Sequence, residues 1–79
     1  MATLNPNETK VLQAMVALGA TGEDKMKTAD DIMRKAAMGK GMCNGALQSL
    51  ITKGFVVRKV RQKAAGYYLT PEGVKAGSA

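Results

Sequence analysis

Few side chains in this sequence could carry out chemistry, and none has the neighbours that catalysis requires. Histidine is absent, and Cys43 is the single cysteine. A serine or cysteine nucleophile needs an adjacent base, which neither Ser49 nor Cys43 has in its surroundings along the chain. Zinc sites are built mostly from cysteine and histidine. The sequence therefore predicts a protein that is not an enzyme and binds no metal ion or cofactor, with Cys43 as a small buried side chain.

Positive charge, by contrast, is concentrated in one half of the chain. The formal net charge is +6, and no acidic residue lies between Ile32 and Pro71. That segment carries eight basic residues without an acid to compensate them: Arg34, Lys35, Lys40, Lys53, Arg58, Lys59, Arg61 and Lys63. Clustered basic residues favour a polyanionic partner such as nucleic acid. The alternative is a basic surface that contacts only solvent.

Targeting and membrane-spanning segments are not evident in the sequence. The first four residues lack a charged region followed by an apolar run, and the longest apolar stretch, Ala14–Leu18, is too short to cross a bilayer. A lone thiol fits a reducing compartment. We therefore expect a cytoplasmic protein that does not associate with a membrane. Its length predicts one domain over residues 1–79, with a core at about 5–76.

Capping residues predict where the first two helices begin. The segment Asn5–Glu8 combines an asparagine cap, a proline and a glutamate three residues after the cap, and the helix that follows is expected to end at Gly19. The segment Thr28–Asp31 has a threonine cap with an aspartate three residues later. We expect this second helix to be broken at Gly39 and Gly41.

A third helix is expected over roughly 41–53, because apolar residues recur at spacings of three and four. The predicted buried stripe consists of Cys43, Ala46, Leu47, Leu50 and Ile51. The opposite face must point outwards, and it carries Lys40, Met42, Asn44, Gly45, Gln48 and Thr52. Asn44 and Gln48 are four residues apart and share one face, where their amides could pair with adenine edges. The alternative is that both amides are ordinary solvated groups.

Two segments rich in β-branched and aromatic residues predict an antiparallel hairpin. Its strands are expected at Phe55–Val60 and Tyr67–Thr70. The residues between them are basic, polar and small, so we expect a loop longer than a tight turn. Within that loop, Arg61 and Lys63 lie beside a flexible tip of two alanines and a glycine. One of the tyrosines at 67 and 68 should pack inwards and the other should be exposed, because side chains alternate along a strand.

Two short elements complete the predicted order. Lys25–Lys27 alternates in polarity and could form a brief strand before the second helix. Thr70 is a suitable cap for a short last helix, followed by a fraying tail at Gly77–Ala79.

Three segments of the sequence resemble, in order, motifs of one family. They are Thr28–Ile32 (TADDI), Leu47–Val56 (LQSLITKGFV) and Tyr67–Gly73 (YYLTPEG). In that order they resemble the scaffold-helix start, the join between recognition helix and wing, and the exit of the second wing strand in the winged helix-turn-helix family, including MarR-type and related archaeal regulators. The resemblance covers about residues 5–76. It implies an α+β fold with a three-helix core, a small antiparallel β-hairpin wing and a short C-terminal helix.

The resemblance also implies a function, a partner and a binding surface. Its members place the third helix in the major groove and the wing on the flanking backbone or minor groove of double-stranded DNA. The candidate DNA-binding residues are Lys40, Met42, Asn44, Gly45, Gln48, Arg34, Lys35, Arg58, Lys59, Arg61 and Lys63. The implied role is that of a small transcription regulator, associated with the nucleoid when bound to DNA, and a homodimer is compatible with it.

Two features depart from the family pattern and leave other functions open. The third helix opens with Gly39–Met42, where the family normally has serine, threonine or arginine, and the sequence ends at Ala79, before the long dimerisation helix of MarR-type repressors. A winged-helix module that binds another protein is one alternative. A binder of RNA or of the ribosome is the other, since the same basic residues would serve it.

Overall fold

Three α-helices are followed by a β-hairpin and a fourth helix in the computed structural model, which describes residues 4–61 and 64–78 and, at positions 61 and 64, only the backbone. The helices and strands are α1 (Pro6–Leu18), α2 (Ala29–Ala36), α3 (Lys40–Thr52), β1 (Val56–Arg61), β2 (Ala64–Leu69) and α4 (Pro71–Ser78). A 3-10 turn, Glu23–Lys25, lies between α1 and α2. This order confirms the predicted α+β arrangement.

The two predicted capping boxes begin helices α1 and α2. The Asn5 side chain accepts a hydrogen bond from the Glu8 N–H at 2.8 Å, and the Glu8 carboxylate accepts one from the Asn5 N–H at 2.9 Å. Thr28 and Asp31 form the same reciprocal pair at the start of α2. Each box gives hydrogen-bond partners to amide groups that a helix start otherwise leaves unpaired.

The end of α2 differs from the prediction. The helix ends at Ala36, and Ala37 adopts the left-handed conformation with a φ of 55°. The predicted breakers have other roles: Gly39 is the N-cap of α3, and Gly41 lies within the first turn of that helix. A glycine at Ala37 would adopt this backbone conformation without the steric cost that the Cβ of an alanine carries.

The core lies between the three helices and the base of the hairpin. Its buried side chains are Val11, Leu12, Met15, Ala20, Ile32, Cys43, Ala46, Leu47, Leu50, Val56 and Leu69. Four of the five predicted stripe residues of α3 are in this cluster, whereas Ile51 is only partly buried. Cys43 is 1% exposed, and burial raises the pKa of its thiol. The core therefore fixes which side of α3 faces solvent.

The hairpin is longer and its connection shorter than the sequence predicts. Strand pairing extends from Val56↔Leu69 to Arg61↔Ala64, so only two residues, 62 and 63, join the strands. The predicted flexible tip is part of β2 instead. Gly66 is there for packing, because a Cβ at this position would lie 2.9 Å from the Cβ of Met26. The sequence predicts flexibility at this position, whereas Gly66 allows a close contact.

A single bridge, rather than a third strand, attaches the hairpin to the segment before α2. Tyr67 and Lys27 exchange two backbone hydrogen bonds of 3.0 and 2.8 Å. The predicted brief strand is therefore reduced to Lys27, because Lys25 closes the 3-10 turn. The Leu69 N–H also donates to the Ala20 carbonyl at 2.8 Å. These bonds hold β2 against the helical core on the side opposite β1.

Helix α4 packs back against α1. The Thr70 hydroxyl caps it by accepting from the Gly73 N–H at 3.1 Å, and it also donates to the Gly54 carbonyl at 2.8 Å. The helix continues through Gly77 and Ser78, which the sequence assigns to a fraying tail, and Ala79 lies outside the described residues. A Cβ at Gly77 would lie 2.9 Å from the Leu12 carbonyl oxygen, so the glycine allows α4 to approach α1 closely.

Candidate nucleic-acid interface

The outer face of α3 carries the polar residues that the sequence assigns to it. Lys40, Met42, Asn44, Gly45 and Gln48 are all exposed, and 54% of Met42 is accessible to solvent. Their positions follow from the opposite side of the helix, whose side chains are anchored in the core. The helix therefore presents two amides one turn apart, with a residue lacking a side chain beside them.

An ion pair fixes the C-terminal end of α3 to the start of α1. The Lys53 ammonium lies 2.9 and 2.7 Å from the two carboxylate oxygens of Glu8. The Glu8 side chain is 1% exposed and that of Lys53 is 29% exposed. Sequence reasoning missed this pair, because it assigned Glu8 only to the cap and Lys53 only to the end of α3. The two residues lie 45 positions apart, and no local pattern connects them.

Opposing effects determine the charge of Glu8. Burial is the largest effect and would raise the pKa of its carboxyl, but the hydrogen bond from the Asn5 N–H and the Lys53 ammonium together outweigh it. The pKa of Glu8 therefore lies below its ordinary value of 4.5. The carboxylate stays ionised at neutral pH and keeps α1 and α3 joined.

The two faces of the hairpin have different surroundings. Arg58 lies directly opposite Tyr67, and the next pair, Lys59 and Gly66, points to the other side of the strands. Arg58 and Tyr67 face α3 and line a groove of about 390 Å³ with Asn44, Leu47, Gln48 and Ile51. The hairpin thus adds a guanidinium and a phenol to the amides of α3.

Lys59 lies on the side of the hairpin that faces away from this groove. Its ammonium forms an ion pair with Glu23 of the 3-10 turn, and both side chains are about half exposed. Two of the eight basic residues in the acid-free segment are therefore compensated by acids in three dimensions. The sequence separates Glu23 and Glu8 from the basic segment, but the fold returns them to Lys59 and Lys53.

The candidate residues of α2 are outside the groove. Arg34 and Lys35 are exposed in the last turn of α2. Lys35 lines a separate shallow depression with Lys10 and Gln13 of α1. Lys63 and the side chain of Arg61 lie outside the described residues. The fold therefore brings Asn44, Gln48 and Arg58 together, adds Tyr67, and places Lys35 and Lys59 elsewhere.

The two tyrosines differ less in solvent exposure than strand alternation predicts. Tyr67 packs against the core and lines the groove, whereas Tyr68 pairs with Val57 on the other side of the hairpin. Both rings are half-buried, so neither is the freely exposed ring that was expected. Alternation predicts that one tyrosine packs inwards, but only the strand register shows which one.

Among residues 4–61 and 64–78, no three histidine, cysteine, aspartate or glutamate side chains are close enough together to hold a metal ion. No helix in the same part of the chain has the length and apolar character needed to cross a membrane.

Comparison with known proteins shows the fold. No family model matches the sequence. No curated protein matches it either. Solved structures do: TubR from Bacillus megaterium pBM400 has a TM-score of 0.84 at 19% identity, with 94% of this chain and 82% of that chain covered. The DNA-binding TubR fragment from Clostridium botulinum has a TM-score of 0.80 at 19% identity, covering 98% and 96% of the two chains.

A third similar structure is longer than this chain. The MepR–DNA complex of S. aureus has a TM-score of 0.76 at 18% identity, and the match covers 95% of this chain but only 60% of MepR. These likenesses, with the observed order of helices and strands, confirm the winged helix-turn-helix fold. In that fold α2 and α3 form the helix-turn-helix, and the β1–β2 hairpin is the wing.

Proposed function

We propose that this chain binds double-stranded DNA as a small transcription regulator, with α3 in the major groove and the hairpin on the flanking backbone or minor groove. The observation that carries the proposal is the groove between α3 and the hairpin. Its lining combines the amides of Asn44 and Gln48 with the Arg58 guanidinium, and none of the described residues that line it carries a carboxylate. The structures of the MepR–DNA complex and the DNA-binding TubR fragment support it, since both share the fold.

The outer face of α3 has the chemistry that major-groove binding requires. The major groove admits one α-helix, and amide side chains can form two hydrogen bonds with an adenine edge. Asn44 and Gln48 are exposed on one face, and Gly45 beside them leaves room for close approach. Lys40, exposed at the start of the helix, would contact a phosphate. These residues, with Arg58 on the wing, are the proposed DNA contacts within the described part of the chain.

The proposal includes the organisation of the protein. Residues 1–79 act as one winged-helix domain whose role is binding and not catalysis, located in the cytoplasm with the DNA. One copy reads one half-site, and a homodimer would raise affinity by engaging two. Sedimentation of the protein alone and on DNA would measure the number of copies in each case.

The decisive experiment is a salt titration of DNA binding. Fluorescence anisotropy would follow a labelled duplex as protein is added at several salt concentrations. Neutralising about five phosphates should give a slope of log K against log salt of about −4 to −5. The same measurement with duplex RNA and with single-stranded DNA tests the other polyanions. Absence of duplex DNA binding at low salt, or tighter binding to RNA, would contradict the proposal.

A further inference from the structure

On the wing side of the groove, Arg58 and Tyr67 form a pair. Tyr67 is not among the candidate DNA-binding residues. Arg58 and Tyr67 are direct partners across the two strands, and both face α3. The backbone of Tyr67 is also bonded to Lys27 on its other side, at 3.0 and 2.8 Å. Its ring packs against the core, so its position is constrained from both directions. A side chain held in this way loses little conformational freedom on binding.

The pair faces a lining that suits a phosphodiester. Opposite it lie the amides of Asn44 and Gln48, and the apolar side chains of Leu47 and Ile51 complete the groove. Among the described residues, no carboxylate lies within ion-pairing distance of Arg58. The groove thus offers one cation and several neutral hydrogen-bond donors above an apolar base. Arginine, tyrosine, asparagine and glutamine are all common partners of phosphate and sugar in protein–DNA complexes.

The geometry of duplex DNA determines what must occupy this space. The major groove and the adjacent minor groove are separated by one sugar-phosphate backbone. If α3 enters the major groove and the hairpin reaches the neighbouring minor groove, that backbone has to pass between them. Arg58 and Tyr67 line the groove that lies between α3 and the hairpin.

We propose that this groove holds the sugar-phosphate backbone of one DNA strand, with the Arg58 guanidinium and the Tyr67 hydroxyl both donating hydrogen bonds to its phosphate oxygens. This inference rests on the proposed function. It assigns to Tyr67 a role in positioning the duplex, and it separates Arg58 from Lys59, its neighbour in the sequence. Arg58 contacts the DNA strand, whereas Lys59 is paired with Glu23 on the other face of the hairpin.

The test uses conservative variants and matched controls from the same chain. Binding of a random-sequence duplex is measured by anisotropy at several salt concentrations for Arg58→Gln, Tyr67→Phe and the double variant. Tyr68→Phe is the control for the phenol, because Tyr68 lies on the opposite face of the hairpin. Lys75→Gln on α4, outside the groove, is the control for the loss of one positive charge. Thermal melting checks that each variant remains folded.

Each variant has a distinct expected result. Arg58→Gln should weaken binding about tenfold and make the salt slope shallower by about 0.9, the contribution of one phosphate. Tyr67→Phe should weaken binding about fivefold without changing the salt slope, because it removes a hydrogen bond and not a charge. Both controls should bind within about twofold of the wild type. The double variant should lose less than the product of the two single effects if both groups contact the same strand.

The results separate this inference from the proposed function. If the wild type binds duplex DNA with a steep salt dependence but Arg58→Gln and Tyr67→Phe match their controls, the backbone does not pass through the groove and the inference is overturned. The DNA-binding function would then stand. If the wild type does not bind duplex DNA, both are overturned together.

Discussion

Glu8 takes part in two structures that would usually be considered separately, a helix cap and an interhelical ion pair. Its carboxylate accepts from the Asn5 N–H and contacts the Lys53 ammonium while remaining almost completely buried. A buried charge without a partner is costly. Removing Lys53 would therefore destabilise the protein mainly because the Glu8 carboxylate would stay buried without a cation. Glu8 therefore both caps α1 and holds α3 against it.

Replacing Lys53 with methionine tests this dependence. Lys53→Met keeps an unbranched side chain but leaves the Glu8 carboxylate buried without its cation. The free energy of unfolding should fall by about 3 kcal/mol at neutral pH. Chemical denaturation would measure the change, with Lys75→Met as the control for an exposed lysine on α4. A loss no larger than that of the control would show that the pair contributes little to stability.

The pKa of Glu8 predicts how stability varies with pH. Because this pKa is lower in the folded protein than its ordinary value of 4.5, the stabilisation from ionised Glu8 is complete above about pH 4.5. It is lost as the pH falls through the folded-state pKa. Denaturation curves between neutral and acidic pH should show this loss in the wild type.

The Lys53→Met variant should show a different pH dependence. Protonated Glu8 is neutral and no longer needs the ammonium, so the difference in unfolding free energy between wild type and variant should shrink as the pH falls. A difference that stayed constant across the same range would mean that the carboxylate is not responsible for it.

At the level of secondary structure, the end of α2 has an unfavourable backbone conformation. Ala37 has a left-handed conformation that glycine adopts more readily, and its side chain is exposed. Ala37→Gly should raise the free energy of unfolding by about 0.5–1 kcal/mol. Ala36→Gly is the matched control: Ala36 is the last residue of the helix and keeps a helical backbone, so glycine gains nothing there and should destabilise. Thermal denaturation of the two variants should therefore give shifts of opposite sign.

Helix α3 allows a test of base recognition. Gln48→Ala should change the preference of the protein between DNA sequences, because an amide that pairs with a base edge contributes about 1–3 kcal/mol of discrimination. Selection from a pool of random duplexes would compare it with the wild type. Gln13→Ala, an exposed glutamine on α1, is the matched control and should leave the selected sequences unchanged. Identical selected sequences for all three proteins would mean that Gln48 does not read bases.

The hairpin shows why the sequence predicts where strands form better than it predicts which side of the hairpin each side chain faces. A β-branched run predicts a strand, but the register that pairs Arg58 with Tyr67 depends on how few residues connect the strands. The small residues at 64–66 favour a loop in the sequence, whereas Gly66 allows a close contact with Met26, a distant neighbour. Consequently Arg58 and Lys59 had to be treated alike from the sequence, although their environments differ.

For the whole molecule, local patterns predict the helices and strands, and the family resemblance predicts how they are arranged. The structure confirms α1 to α3 and the hairpin, which the caps, the apolar stripe of α3 and the three motifs predict. The long-range pairs were out of reach: Glu8 with Lys53 and Glu23 with Lys59 depend on packing that no local pattern records. The exposed candidate residues of α3 could therefore be predicted, because the buried face of the helix determines which residues are exposed. The candidate residues of the wing could be predicted less well.

The buried thiol of Cys43 gives the molecule a built-in chemical reporter. Its side chain belongs to α3, the helix proposed to enter DNA, but it points to the interior and is 1% exposed. A thiol reagent can reach it only when the core opens, so the modification rate reports the population of open molecules. A ligand that binds only the folded protein lowers that population by mass action. The rate at which one sulfur atom is labelled would thus report DNA binding on the opposite side of the same helix, without any probe attached to the interface.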